Sequence, residues 1–209
     1  MKNVRTKSDW IAPPGPVENG LRIGLLGGSF NPAHEGHRHA SELALKQLGL
    51  DYVWWLVSPQ NPLKDTRGMA SFGDRLQAAQ HFNHHPRIIV TDIESRLGTR
   101  FTIDTLRALK RRFPQLRLVW LMGSDNLLQI PRWRNWQEIF AILPVTVIAR
   151  PGTALAALSS KAATRFRSAH VPPNRHIAVM SPPAWTMIDV RRRNPSSATH
   201  LRKNRASRN

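Results

Sequence analysis

An apolar segment that runs into two glycines and then two histidines constrains this chain of 209 residues more than any other feature. Residues 21–26 are mostly apolar and bounded by turn residues, as in a strand buried on both faces of a parallel sheet. Gly27 and Gly28 follow, and we expect them to form a tight turn that exposes backbone amides to a ligand. A helix should begin near Gly36 and end at Gly49.

This order of strand, glycine turn and helix predicts a phosphate-binding corner, because a helix N-terminus carries unpaired N–H groups and partial positive charge. Residues 24–37 contain neither Gly-x-Gly-x-x-Gly nor the Lys-Ser or Lys-Thr of a P-loop. His34 and His37 are three residues apart and would share one face of a helix that begins early enough. Their spacing alone leaves two interpretations open. They are either metal ligands, without an obvious third ligand nearby, or polar residues of a surface turn.

Length and cysteine content bound the class of protein. The chain suits a single domain over residues 21–203, with a flexible leader over residues 1–20 and a basic tail over residues 204–209. The absence of cysteine excludes disulfides, thiolate catalysis and cysteine-based zinc or iron–sulfur sites, and it fits the cytoplasm. No apolar run approaches about 18 residues, so we expect no membrane-spanning helix.

The formal net charge of +18 would by itself favour a nucleic-acid-binding protein. However, residues 161–209 contain 11 Lys and Arg against the single acid Asp189, so more than half of the excess lies in the last quarter of the chain. The sequence has no stripe of aromatic and basic residues of the kind found on RNA-binding sheets. We therefore do not expect a nucleic-acid partner, whereas a positive field also suits a small substrate rich in phosphate.

The apolar runs predict an open α/β sheet. Five strands are predicted at residues 21–26, 51–58, 87–93, 116–122 and 145–149, and residues 187–190 have the pattern of one more short strand. Helices are predicted over residues 72–85, from an N-cap at Thr102 to about residue 113, and over residues 136–142. The alternation favours a Rossmann-like doubly wound parallel sheet of about five strands with helices on both faces. Trp54, Trp55 and Trp136 are expected to pack in its core.

Residues 27–37, Gly-Gly-Ser-Phe-Asn-Pro-Ala-His-Glu-Gly-His, closely resemble the motif of the nucleotidyltransferase superfamily. Two later segments resemble bacterial nicotinate-nucleotide adenylyltransferases in particular: residues 102–106, and Gly123-Ser124-Asp125 with a tryptophan, Trp133, eight residues after the aspartate. The loop that ends in Lys64, the Arg150-Pro-Gly turn and residues 196–202 also match segments of that family, and the order along the chain is the same. The resemblance therefore extends over roughly residues 21–203.

The chain departs from the family's pattern at several positions. Arg100 and Phe101 replace serine and tyrosine, and Leu63 stands where the family often has histidine. Ala198 replaces a serine near the C-terminus, which puts the contribution of that hydroxyl in doubt.

The resemblance implies transfer of an adenylyl group from ATP to nicotinate mononucleotide, with Mg²⁺ carried by the ATP phosphates. The nucleophile is already a phosphate oxygen, so catalysis should come from alignment and charge stabilisation rather than from a strong base. The implied roles are catalysis for His34, His37, Lys64 and Arg202; binding of ATP or its phosphates for Gly27, Gly28, Ser29, Phe30, Gly36, Asp125, Arg150 and Thr199; and binding of the nicotinate nucleotide for Thr102, Ser124 and Trp133.

Two other functions stay open at this point. The first motif also fits another nucleotidyltransferase, such as one that acts on phosphopantetheine, although the segments at Thr102 and Trp133 argue against it. A basic RNA-binding protein on an α/β scaffold is supported by charge alone. The sequence does not decide between the acid and the amide of the pyridine nucleotide, or the oligomeric state.

Overall fold

The computed structural model describes residues 11–59 and 69–189. Its centre is a parallel sheet of six strands in the order β3-β2-β1-β4-β5-β6. The strands are β1 (Arg22–Gly28), β2 (Tyr52–Val57), β3 (Ile88–Thr91), β4 (Arg117–Gly123), β5 (Val145–Ala149) and β6 (Trp185–Asp189). The predicted doubly wound parallel sheet is confirmed, with six strands where about five were expected.

Helices cover both faces of this sheet. They are α1 (Glu35–Gln47), α2 (Phe72–Phe82), α3 (Ile93–Arg96), α4 (Thr102–Arg112), α5 (Ser124–Gln129), α6 (Trp136–Ile142), α7 (Ala154–Leu158) and α8 (Lys161–Arg165). Short 3₁₀ turns lie at Ile130–Arg132, Arg167–Ala169 and Ile177–Val179. Alternate side chains of the strands enter two separate cores: α1 and α2 pack in one of them, and α3 to α8 supply the other.

The two adjacent tryptophans of β2 show this alternation directly. Trp54 and Trp55 are both fully buried, one in each core. The indole N–H of Trp55 donates to the hydroxyl of Ser41 on α1 at 2.7 Å. Trp136 is also buried, so the prediction that these three side chains pack in the core is confirmed.

The glycines at the end of β1 act differently from the prediction. Gly27 and Gly28 are the last two residues of the strand, and the left-handed residue of the following loop is Phe30, with φ of 47°. A Cβ on Gly27 would lie 2.6 Å from the indole of Trp120, so the glycine lets β4's tryptophan pack against β1. The predicted glycine turn is therefore wrong in detail, because close packing rather than left-handed backbone requires Gly27. At the other end of α1, Gly49 has φ of +61° just after the helix, as predicted.

Part of the predicted leader is attached to the domain. Residues 11–20 contain no helix or strand, yet Ile11 and Val17 pack against the core. The amide of Gly20 donates to the carbonyl of Gln115 at 3.0 Å, and Arg96 donates to the carbonyl of Ala12 at 2.7 Å. Within the described ranges, none of the helices is long and apolar enough to cross a membrane.

Candidate active site

A cavity of about 150 Å³ lies at the carboxyl ends of the central strands. Strand β1 has β2 on one side and β4 on the other, so the order of strands reverses at this point, where open α/β sheets bind ligands. The cavity is lined by residues from the end of β1, from β4, from the segments that follow β2 and β3, and from α5 and the turn after it: Gly27, Gly28, Ser29, Ser58, Glu94, Arg100, Phe101, Thr102, Trp120, Asn126, Arg132, Trp133 and Arg134.

The histidine pair closes the N-terminus of α1 with its own side chains. His34 is the N-cap, and its Nδ1 accepts a hydrogen bond from the amide of Gly36 at 3.1 Å. The Nδ1 of His37 accepts one from the amide of His34 at 3.3 Å. Because both Nδ1 atoms accept, each neutral imidazole carries its proton on Nε2. The arrangement is a capping box built from two histidines, and it makes two Nε2–H donors out of them.

Phe30 holds this corner in place. Its side chain is buried, and the centroid of its ring lies 4.6 Å from the centroid of the His37 ring and 5.0 Å from that of the Trp55 ring. A positive φ is unfavourable for a bulky residue, so the packing of this ring must stabilise the backbone of the loop. Gly36 contributes by having no side chain, since a Cβ there would lie 2.9 Å from the His34 ring. Neither histidine lines the cavity: His34 ends the loop that continues from its wall, and His37 lies in the first turn of α1.

The far side of the cavity combines aromatic and cationic groups. The guanidinium of Arg134 lies over the ring of Phe101 at 4.8 Å, and that of Arg100 lies 5.7 Å from the same ring. Thr102 begins α4, but the N-cap is Phe101, without a side-chain hydrogen bond, so the predicted capping role of Thr102 is wrong. Trp133 is half-buried and packs partly against the core. An anionic ligand with a flat ring would suit these groups.

Three of the predicted site residues form a cluster of their own, beside the cavity. Arg150 Nη1 lies 3.4 Å from Asp125 Oδ2 across the ends of β4 and β5. The Ser124 hydroxyl accepts from the Arg150 amide at 2.8 Å and pairs with the Thr153 hydroxyl at 2.6 Å. A Cβ on Gly123 would lie 2.3 Å from Asp125 Oδ1, so the glycine makes room for the ion pair. The Ser124 side chain is fully buried and its hydrogen bonds serve the fold.

Of the predicted site residues, the structure brings Gly27, Gly28, Ser29, Thr102 and Trp133 together around one cavity. It places Ser124, Asp125 and Arg150 beside that cavity. Lys64, Thr199 and Arg202, and the departures at Leu63 and Ala198, lie outside the described residues. In the part of the chain that is described, no three His, Asp or Glu side chains are grouped so that they could hold a metal ion.

Sequence reasoning missed Arg75, which ties two loops of the site together. Its guanidinium is almost fully buried and donates to four backbone carbonyls: Ser29 at 2.6 Å, Ser58 at 2.9 Å, Pro59 at 2.9 Å and Ala70 at 3.1 Å. Burial lowers the pKa of this guanidinium. The loops that follow β1 and β2 are therefore held at a fixed distance by one side chain of α2. No sequence pattern marks such a contact.

Sequence reasoning also missed Glu94, a buried acid in the cavity wall. It is only 8% exposed, and Thr105 donates to its Oε1 at 3.2 Å. Burial raises the pKa of this carboxyl to about 7, although hydrogen bonds from Thr105 and Ser58 act to lower it. Its place after strand β3, on the ligand-binding edge of the sheet, is the signal that could have identified it.

Comparison with known proteins agrees with this geometry. The model of the cytidylyltransferase-like family matches residues 25–204. The chain is similar to a probable nicotinate-nucleotide adenylyltransferase of Parvibaculum lavamentivorans, with 61% identity over 148 residues that cover 71% of this chain and 74% of the relative. It belongs to the nicotinate-nucleotide adenylyltransferase branch of the cytidylyltransferase-like family.

Other members of the nicotinate-nucleotide adenylyltransferase family give the same result. A probable enzyme of this name from Cereibacter sphaeroides is 52% identical over 168 residues, which cover 80% of this chain and 90% of that one. A third, from Ruegeria sp., is 46% identical over 185 residues, which cover 88% of this chain and 97% of that one. The resemblance found in the sequence motifs is confirmed.

Solved structures support the fold. The nicotinic acid mononucleotide adenylyltransferase of Plasmodium falciparum, complexed with NaAD, matches with a TM-score of 0.63 and 17% identity, over 83% of this chain and 77% of that one. A protein of Vibrio parahaemolyticus described as a putative nicotinate-nucleotide adenylyltransferase matches with a TM-score of 0.53 and 19% identity, over 65% of this chain and 78% of that one. This chain therefore shares the fold of these two structures.

Proposed function

We propose that this protein transfers the adenylyl group of ATP to nicotinate mononucleotide and releases pyrophosphate. The product is nicotinate adenine dinucleotide, an intermediate of NAD biosynthesis. The names of the relatives support this assignment. ATP is the co-substrate, the site of action is the cytoplasm, and no nucleic acid takes part.

The cavity carries the proposal. A single space joins the end of β1, which leads into the histidine corner, to Thr102 and Trp133, which would hold the pyridine nucleotide. Three arginines, Arg100, Arg132 and Arg134, line the same space, so it favours an acceptor with several negative charges. Nicotinate mononucleotide carries a ring carboxylate and a phosphate, and its flat ring could stack on the Trp133 indole.

The chemistry requires alignment more than acid–base catalysis. An oxygen of the mononucleotide phosphate attacks the α-phosphorus of ATP, and the bond from that phosphorus to the bridging oxygen breaks as pyrophosphate leaves. The Nε2–H groups of His34 and His37 would donate to the oxygens of the transferring phosphate, where negative charge accumulates. Their Nδ1 atoms are fixed by the helix cap, so these donors are oriented before substrate binds.

The remaining predicted residues complete the proposal. Gly27, Gly28, Ser29, Phe30 and Gly36 shape the backbone that would face the ATP phosphates. Asp125 would accept hydrogen bonds from ribose hydroxyls, with Arg150 beside it for a phosphate. Lys64, Thr199 and Arg202, outside the described residues, are proposed to contact the triphosphate.

Magnesium is proposed to arrive with ATP rather than to occupy a protein cage. Asp125 is a single carboxylate, and its Oδ1 is buried without a hydrogen-bond partner among the described residues. Magnesium in nucleotide sites is commonly held by one or two carboxylates together with substrate phosphates, which this donor set fits. When bound it would neutralise charge on the phosphates.

The test is a pyrophosphate-release assay with ATP, Mg²⁺ and each of three acceptors: nicotinate mononucleotide, nicotinamide mononucleotide and phosphopantetheine. We expect the highest kcat/KM with nicotinate mononucleotide. A higher value with phosphopantetheine, or sequence-selective RNA binding without pyrophosphate release, would refute the proposal.

Omission of Mg²⁺ in the presence of excess chelator should abolish pyrophosphate release, and unchanged release would refute the role of the metal.

A further inference from the structure

Glu94 is an acidic residue in the wall of a cavity that is proposed to bind an anionic nucleotide, which is an unusual combination. Its carboxyl is buried in the wall of the cavity, together with Gly28 and Ser29 from the β1 end and with Phe101 and Thr102 from the α4 end. It therefore faces the space in which the acceptor nucleotide is proposed to bind.

The hydrogen-bond partners of this carboxyl are hydroxyl groups. Thr99 and Thr105 share a hydrogen bond at 2.8 Å, and Thr105 donates onward to Glu94 Oε1 at 3.2 Å. Ser58, just after β2, lines the same cavity, and its hydroxyl acts to lower the pKa of the carboxyl. The amide of Thr99 donates to the backbone carbonyl of Glu94 at 3.2 Å, which fixes the loop that precedes α4. These contacts orient the carboxyl without supplying a positive charge.

Among the described residues, none of the charged groups around Glu94 forms an ion pair with its carboxyl. Arg96 on its own helix is paired with Asp92, and Arg107 on α4 with Asp104. Arg75, behind the β2 end, binds backbone carbonyls. The other charged groups of the cavity wall are Arg100, Arg132 and Arg134, and none of them is within 4.0 Å of the carboxyl.

A carboxylate in this position would repel an acceptor that carries a phosphate and a ring carboxylate. The neutral acid removes that repulsion and has an O–H that can donate to an anionic oxygen. We propose that Glu94 is a specificity-determining residue of the acceptor site, which binds the anionic mononucleotide in its protonated form, so that substrate binding takes up a proton at this carboxyl. This inference rests on the proposed function.

The proposal makes the affinity for the acceptor depend on pH. With a pKa of about 7 in the free protein, the carboxyl is mostly ionised at pH 8 and must gain a proton when the acceptor binds. A linkage of one proton raises Kd by up to about tenfold per pH unit above the pKa of the free protein. ATP, which is not proposed to contact Glu94, should lack this contribution.

Calorimetric titration with nicotinate mononucleotide at pH 8, in two buffers of different ionisation enthalpy, measures the protons taken up. We expect the wild-type protein to take up close to one proton per bound acceptor. E94Q should take up about one proton fewer than wild type. The amide of E94Q keeps the acceptor for Thr105 but does not titrate. A wild-type count of zero, or equal counts in the two proteins, would overturn the proposal.

A second variant keeps the test valid if E94Q fails to fold. T105V removes a hydroxyl that donates to the carboxyl and preserves the side-chain shape, so the pKa should rise. The pH above which Kd increases should then move upward in T105V relative to wild type. An unmoved profile would also overturn the proposal, provided that melting curves show T105V to be folded.

The outcomes separate this inference from the proposed function. Absence of turnover with nicotinate mononucleotide would count against the proposed reaction. Normal turnover together with a proton count of zero would count against Glu94 alone. Titration with ATP in the same two buffers is the control, because wild type and E94Q should give equal counts.

Discussion

The backbone amide of His34 donates to Nδ1 of His37, and the two imidazole rings lie with their centroids 3.9 Å apart. Each ring therefore serves the helix cap through Nδ1 and carries its proton at Nε2. Structural and proposed catalytic roles are thus divided between the two nitrogens of one side chain. This division can be tested by substitutions that imitate one nitrogen at a time.

We expect H37A to lower kcat by about 10²-fold with a smaller change in KM, as for loss of a donor that acts in the transition state. H37N places an oxygen near the position of Nδ1, so it should restore the cap and the melting temperature but leave kcat low. Steady-state kinetics and thermal melting of both variants provide the measurement. A near-normal kcat in either variant would exclude the proposed donor at Nε2.

Substitution of Trp133 should change KM for nicotinate mononucleotide more than KM for ATP. If its indole stacks on the pyridine ring, W133A should raise KM for nicotinate mononucleotide about tenfold, since stacking of this kind contributes roughly 1 kcal/mol or more. KM for ATP should change little. W136F, in the buried core, is the control and should lower stability while leaving the ratio of the two KM values unchanged. Equal increases for both substrates in W133A would indicate a packing role.

Arg75 should be required for both stability and activity. Removal of the guanidinium in R75Q leaves the partly buried carbonyls of Ser29 and Ser58 without these donors, so we expect the free energy of unfolding to fall by about 3 kcal/mol. The loops after β1 and β2 would lose their fixed separation, and kcat should fall as well. Denaturant unfolding and pyrophosphate release measure the two effects. R167Q, at an exposed arginine, is the matched control, and the prediction fails if both variants behave alike.

The buried Glu94 carboxyl should make the free energy of unfolding depend on pH. Its folded-state pKa of about 7 lies above the ordinary value of 4.5, so the neutral acid is favoured in the folded protein. Its stabilising contribution is complete below about pH 4.5 and is lost as pH rises through 7, a change of up to about 3 kcal/mol. E94Q should lack this contribution. Denaturant unfolding of both proteins at pH 5 and pH 8 should therefore show wild type losing more stability than E94Q, and parallel losses would contradict the shifted pKa.

Local sequence patterns were sufficient to locate most of the strands and helices. Apolar runs bounded by turn residues located the five predicted strands to within a few residues, because burial on both faces requires continuous apolar side chains. The position of a helix start after β1 followed from spacing, and Gly49 ended that helix as expected. The order of motifs along the chain identified the family.

Ser124 shows where a motif by itself was insufficient. It lies within the family's Gly-x-Asp pattern, yet its hydroxyl is occupied by the Arg150 amide and the Thr153 hydroxyl. That contact exists because β4 and β5 are neighbours in the sheet, which brings residues 26 positions apart into hydrogen-bond distance. A sequence motif states which residues occur together but not which partner each side chain selects.

The sequence by itself determined the parallel α/β architecture and the family, since these depend on periodicity and on short ordered motifs. Only the tertiary structure decided that Arg75 joins the loops at Ser29 and Ser58, and that Glu94 is buried in the cavity wall. The physical reason is that burial and hydrogen-bond satisfaction are properties of a packed environment. Residues from five or more separate segments create that environment, and no window of the sequence contains them all.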